Sequence, residues 1–404
     1  MIFLDIDDFI AKYVTGRKES LFSKDMRNNE EVLKQRINGS SALIIGGAGT
    51  IGSSFIKALI QFSPKRLYVV DINENALTEL TRDLRSHNNL TVPTEYRTYP
   101  MDMGHKVFEK LFLEEEPFDI VANFAAHKHV RSEKDPYSIQ AMIENNVFNT
   151  KNLLKLLVKK PPQRFFCVST DKAANPVNVM GASKKIMEEV ILSYSDRINV
   201  STARFANVAF SNGSLPDGFL NRLKKRQPLS SPLDIQRYFV SPEESGQLCL
   251  LACICSEPGN IFFPKISENE MKPFSEIAVD LLRELGYEAE YCKTEEEARN
   301  KAVLIDKKIT KYPVYFFKTD TSGEKLFEEF FTEDEKPDLD KFEKLGVLNG
   351  KASISDADQE LLFKELQSLF LKKSLSKKEL ISTIKRYLPS FDHLETGKSL
   401  DQKM

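Results

Sequence analysis

The absences in this sequence narrow it first. No apolar run in the 404-residue chain approaches the ~20 residues that cross a bilayer, so no membrane span is expected. The opening stretch MIFLDIDDFIAKY is acidic and broken by charge, unlike a secretory signal, and a cytoplasmic setting is expected. Net charge is only −2, which gives no general attraction to nucleic acid or to an anionic surface. Cysteine is sparse and odd in number, at positions 167, 249, 253, 255 and 292. The CLLACIC cluster has neither a histidine nor a second cysteine pair at ligand spacing. Buried thiols in a reducing compartment are therefore the simpler reading, and no metal is expected. There is no internal repeat and no low-complexity linker.

What is present is ordinary in bulk and specific in pattern. Charged residues at 29% and hydrophobic residues at 41% fit a soluble globular protein, long enough for two domains or one large one with appendages. Short apolar runs alternate with helical periodicity: SALIIGG, RLYVVDI, TEYRTYPMDM, FDIVANFAAH, RFFCVST and INVSTARFANV read as six strands. The long amphipathic stretch YSIQAMIENNVFNTKNLLKLLV reads as one helix. This alternation predicts an α/β fold with a doubly wound parallel sheet of the Rossmann kind. The expected divisions are an N-terminal helical extension over 1–40, a nucleotide-binding domain over 41–210 and a smaller mixed α/β substrate region over 211–333. That third part is allowed segments that return to the main domain. A C-terminal helical tail follows over 334–404. In the tail, Leu361, Leu362, Leu366 and Leu369 form one apolar face, Ser376 and Glu379 form a capping box, and the last dozen residues are expected to be disordered.

The stretch IIGGAGTIGSS carries the first functional signal. Gly46, Gly49 and Gly52 recur every third residue between a strand and a helix, with Thr50 and Ile51 among them. One glycine permits a tight turn, one lets backbone approach a pyrophosphate, and one lets the helix pack closely with its N-terminus facing the phosphates. Asp71 ends the next strand, where a carboxylate holds the ribose hydroxyls of NAD and repels the 2′-phosphate of NADP. Asp102 and Met103 are candidates to bracket the adenine, with a surface turn as the alternative.

The second signal is VSTDKAANPVNVMGASKK, residues 168–185. Lys184 stands where a dehydrogenase of this fold places its lysine, but Met180 stands where a tyrosine is usual. A thioether can neither give nor take a proton, so either the chemistry is lost or Asp171 and Lys172 carry it. Those two residues end a strand, where doubly wound sheets hold ligands.

These residues resemble the extended short-chain dehydrogenase/reductase superfamily. Within it they resemble the nucleotide-sugar 4,6-dehydratases of the capsular polysaccharide group. STDKAANPVNVMGASKK carries most of the likeness. AAHKHV (125–130), ENNVFNTKNLL (144–154), RFANV (204–208), RYF (237–239) and GEKLFEEF (323–330) support it, over roughly residues 14–392. The resemblance implies NAD as cofactor, UDP-N-acetylhexosamine as substrate and a homo-oligomer. It also implies a soluble form without the transmembrane helices of the group's membrane branch. Some of these dehydratases carry the same methionine and are active.

The implied reaction oxidises sugar C4, removes the C5 proton, expels the C6 hydroxyl and returns hydride to C6. It requires an acid and a base side by side. The expected roles are Asp171 as acid at the C6 oxygen and Lys172 as base at C5 with its pKa lowered by burial, the reverse assignment staying open. Thr170 would bond the 4-oxygen, Met180 would form an apolar wall, and Lys184 would hold the nicotinamide ribose. Ala125 and Ser169 would complete the cofactor wall. Lys128, His129 and Asn207 are candidates for the sugar or its diphosphate, and Arg237 for a phosphate clamp; Arg204 is expected to be structural. Ala206, Asn212 and Thr321 depart from the group's pattern, the last two removing arginines expected near the substrate. The competing readings are an epimerase on the same scaffold, which needs no acid at C6, and a non-catalytic NAD sensor, which only Met180 favours.

Overall fold

The computed structural model describes residues 4–305, 310–319 and 328–395. Its centre is an eight-stranded sheet. Six strands come from the expected runs: β1 (Ser41–Ile45), β2 (Arg66–Asp71), β3 (Glu95–Pro100), β4 (Ile120–Asn123), β5 (Arg164–Val168) and β6 (Val200–Ala203). The order across the sheet is Leu345–Asn349, Asn260–Pro264, β6, β5, β4, β1, β2, β3. Neighbours run parallel except for the edge pair, where Leu345–Asn349 lies antiparallel to Asn260–Pro264.

Strand alternation divides the apolar side chains between two layers. Ala42, Ile44, Leu67, Val69 and Phe166 enter one core, packed against the helices Thr50–Ile60 and Pro242–Ile254. Leu43, Ile45, Tyr68, Val70 and Phe165 enter the other, under the helices Lys106–Glu114 and Val179–Leu192. Each Leu, Ile, Val or Phe among them, fully buried, contributes about 1.5–3 kcal/mol, and both faces demand it.

The segmentation at 210 and 334 differs from the chain's path. Helix Pro242–Ile254 and strand Asn260–Pro264 pack with the main sheet, and the stretch expected to be a helical tail contains the edge strand Leu345–Asn349. An apolar run records only that it is buried, not which sheet buries it. The smaller region builds a three-stranded parallel sheet from Leu229–Pro232, Lys311–Phe317 and Glu288–Tyr291. The N-terminal extension joins both parts: Phe9, Ile10 and Val14 enter the smaller core, and Phe22, Leu33 and Ile37 enter the main one.

The tail helices Asp356–Phe370 and Lys377–Tyr387 pack on the second layer. Leu362, Leu366 and Leu369 are buried as expected, but Leu361 is 50% exposed and Phe363 takes the inward position. The capping box does not form: Ser376 caps nothing, and Glu379 pairs with Lys372 at 2.8 Å. Of the last dozen residues, expected to be disordered, 396–404 lie outside the described residues; just before them the amides of Asp392 and Leu394 donate to Pro176 O and Val177 O at 3.0 and 2.9 Å. The four cysteines at 167, 249, 253 and 292 are buried, and burial raises the Cys167 thiol to about 11.

Candidate functional site

Sheet order reverses between β1 and β4, and the loops leaving β1, β2, β4, β5 and β6 surround a cavity of about 470 Å³. Its floor is the glycine turn. Gly46 has φ +70°, and a Cβ there would lie 2.4 Å from the Ala125 amide nitrogen. A Cβ on Gly49 would meet only the Gly46 carbonyl, at 3.5 Å. Gly49 caps the helix Thr50–Ile60 with no side-chain partner, so the first amides of that helix are available to an anion. Thr50, Ile51 and Gly52 line the cavity beside them.

Asp71 stands at the end of β2, its carboxylate accepting from the amides of Ala48 at 3.0 Å and Asn73 at 2.9 Å. Asp102, Met103 and Ala125 also line the wall. One Asp102 oxygen is engaged by the Gly104 amide at 2.6 Å. Ser169 reaches the same wall, but its hydroxyl donates to Glu188 Oε1 at 2.6 Å, beneath the surface. Glu188 in turn binds Arg204 at 2.9 Å, and Arg204 binds Glu335 at 2.7 Å. Arg204 is therefore structural, as expected. Burial opposes charge on Glu188, but Arg204, Lys185 and the Ser169 hydroxyl outweigh it and hold the carboxyl below its ordinary range.

The acid–base candidates gather at the C-terminal end of β5. Thr170 caps the short turn Asp171–Ala173, and its hydroxyl donates to Asp171 Oδ1 at 2.7 Å. Lys172 Nζ lies 3.0 Å from Asp171 Oδ2. Lys184, one turn beyond Met180 on the helix Val179–Leu192, donates to Val168 O at 2.7 Å. Burial lowers the Lys184 pKa. Met180 is buried and lines the cavity with them.

One electrostatic expectation is overturned. Burial does push the Lys172 pKa down, but the charges of Asp171 and Glu328 outweigh it and hold it above the usual lysine value.

The substrate side divides. Lys128 lies on the cavity rim and donates to Asn212 O at 3.0 Å. His129 faces the adjoining cleft with Arg131 and Phe274. A wide turn over Glu144–Phe148 interrupts the predicted long helix and turns Asn146 inward, where it exchanges hydrogen bonds with the His127 backbone at 2.8 and 2.9 Å. That insertion fixes the loop carrying Lys128 and His129.

Asn207 lines the cavity, but its amide donates to Glu328. Arg237 is not presented as a phosphate clamp. Its side chain is 5% exposed, and its Nε lies 3.4 Å from Glu328. A guanidinium buried against a carboxylate offsets that charge rather than meeting solvent. Glu328 went unassigned in the sequence, although GEKLFEEF contains it. Nothing in the spacing links it to Lys172, which lies 156 positions earlier. Thr321 lies outside the described residues.

The glycine turn, the switch-point cavity and the mostly parallel sheet together define a protein with a Rossmann-type fold. More narrowly, the chain belongs to the polysaccharide biosynthesis protein family, whose pattern matches residues 42–349. A Methanocaldococcus jannaschii protein named only as an uncharacterized membrane protein is 32% identical over 347 residues, covering 84% of this chain and 94% of its own length. The Staphylococcus aureus capsular polysaccharide biosynthesis protein CapD is 27% identical over 89% of this chain, which spans 56% of that relative. A Campylobacter jejuni UDP-N-acetylglucosamine 4,6-dehydratase (inverting) is 26% identical over 57% of this chain and 68% of its own.

Among solved structures, Pen from Bacillus thuringiensis shares the fold with a TM-score of 0.61 at 23% identity, covering 78% of this chain and 91% of that one. DesIV of Streptomyces venezuelae, a dTDP-glucose 4,6-dehydratase with NAD bound, shares it at 0.51 and 20%, covering 69% and 88%. Among the described residues no helix is long and apolar enough to cross a membrane.

Proposed function

We propose that this protein is an NAD-dependent nucleotide-sugar 4,6-dehydratase acting on UDP-N-acetylglucosamine, with a UDP-4-keto-6-deoxy-hexosamine as product. The observation that carries the reading is the Asp171–Lys172 pair, 3.0 Å apart on the wall of the same cavity as Lys184 and the glycine turn. An epimerase has no use for an acid at C6. The open face of Gly49 and the uncapped helix behind it fit a pyrophosphate, and Asp71 fits a ribose diol.

NAD, when bound, supplies the acceptor and donor of hydride, so the reaction needs no outside oxidant. Lys184 holds the nicotinamide ribose, and Met180 closes the wall beside the sugar. Thr170 bonds the 4-oxygen. Asp171 takes the 4-hydroxyl proton and later delivers a proton to the departing C6 oxygen, the role the missing tyrosine leaves open. Lys172, as the free amine, removes the C5 proton that the 4-keto group has acidified, and returns it to C5. Lys128 on the cavity rim and His129 in the adjoining cleft are the residues assigned to the sugar diphosphate. The reading includes a cytoplasmic homo-oligomer, which the family resemblance supports.

Mass spectrometry of UDP-N-acetylglucosamine incubated with protein and NAD tests this. The expected product is lighter by one water and falls by about 1,000-fold in Lys172→Ala. An unchanged mass with no exchange of the C5 hydrogen rejects the reading.

A further inference from the structure

A single turn, residues 174–178, joins the Asp171–Ala173 segment to the helix Val179–Leu192. It therefore sets where Asp171 and Lys172 stand relative to Met180 and Lys184. We propose that the C-terminal segment 388–394 is a strap that positions this turn from outside the cavity. The inference rests on the dehydratase reading for the rate it governs, and it assigns residues that reading does not use.

The inner side of the turn is tightly fitted. The Lys172 carbonyl lies so close to the helix start that a Cβ on Gly181 would be 2.5 Å from its oxygen. The Asn178 side chain accepts from the Gly181 amide at 2.7 Å. Glu133, 4% exposed, accepts from the Val179 amide at 2.7 Å. The outer side is met by the tail. The amides of Asp392 and Leu394 donate to Pro176 O and Val177 O at 3.0 and 2.9 Å, two bonds in register along the turn.

The strap has its own anchor. Leu388 and Phe391 are buried in the second core layer, and the Phe391 ring meets the His393 ring edge-on at 5.6 Å. Phe391 thus fixes the segment to the core, while the amides at 392 and 394 reach across to the turn. No residue of 388–394 lines the cavity, so the strap acts through the turn and not on the sugar. If the two amides are withdrawn, water can meet the outer carbonyls, and little stability is at stake. Placement is at stake instead. Asp171, Lys172 and Lys184 serve one sugar ring, and a misplacement of about 1 Å can cost about 100-fold in rate.

The test uses the full chain and separates backbone from side chain at one position. Asp392→Pro removes the amide donor, whereas Asp392→Ala keeps it and trims a side chain that is 82% exposed. Leu394→Pro removes the second donor independently. In each proline variant kcat on UDP-N-acetylglucosamine should fall about 10- to 100-fold with KM within about twofold, while Asp392→Ala matches the wild type. Amide hydrogen exchange over 173–182 should quicken in the proline variants alone, with the protection of the helix Lys377–Tyr387 unchanged. Wild-type kcat and wild-type exchange in both proline variants would overturn the inference. So would an equal loss in Asp392→Ala, or a kcat that falls only as far as the folded fraction does. A wild type with no dehydratase turnover rejects the reading of the reaction, and the exchange over 173–182 then still decides whether the strap holds the turn.

Discussion

The two ends of the cavity are built differently. The cofactor end is made of backbone: a glycine with positive φ, an uncapped helix start and one strand-end aspartate, all between Gly46 and Met103. The end at β5 carries the adjacent pair Asp171 and Lys172 on its wall, with buried charge pairs drawn from distant parts of the chain behind it: Glu188 with Arg204, and Glu328 with Arg237. Backbone shape is stated locally by residue type. A charge network is stated nowhere until the chain is folded, and its pKa values belong to the assembly.

The comparison can be broken most directly where charge is fully buried. Removing one partner of the Glu188–Arg204 pair, both 0% exposed, leaves the other short of compensation. Glu188→Gln should cost about 3 kcal/mol in denaturant unfolding. The sign with pH follows from the depressed carboxyl. The stability it contributes is present above the ordinary value of 4.5 and is lost as pH falls through its lower folded value, so the variant should lack that part of the acid-induced decline.

The backbone-built end should respond to shape instead. Gly46→Ala meets the Ala125 amide and a positive φ, and about 2 kcal/mol of stability should go with it, along with cofactor affinity. Gly49→Ala has room in the folded protein, so unfolding should shift by less than about 0.5 kcal/mol while NAD affinity in calorimetry falls, because the new methyl occupies phosphate space. Equal effects on stability would contradict a division of labour among the three glycines.

The smallest effect is expected far from the cavity. Among the described residues Glu379 pairs with the exposed Lys372, and Glu379→Ala should change the melting free energy by less than about 0.5 kcal/mol. A loss near 1 kcal/mol would mean that Ser376 and Glu379 cap the helix after all.

Legibility in the sequence follows the same division. The first six strands and the glycine turn were readable, and Asp71, Asp171, Lys172 and Lys184 were named as candidates that the structure brings to one cavity, since each depends on residue type at short spacing. Strands Asn260–Pro264 and Leu345–Asn349 were not assigned to the sheet, because a short apolar run does not state which sheet it joins. Arg237 was read as a clamp because a lone arginine gives no sign of the carboxylate it will meet. The direction of the Lys172 shift was missed for the same reason: burial is foreseeable, but the charges that oppose it are contributed from elsewhere.

The sequence by itself therefore determined the alternation of strand and helix, the phosphate turn and the residue types available for acid–base work, because these depend on backbone preference and local periodicity. Only the tertiary structure decided which edge strands close the sheet, that Arg237 faces inward and that Glu328 stands behind Lys172. Electrostatic coupling acts across a few ångströms of space, and the chain distance between partners carries no record of it.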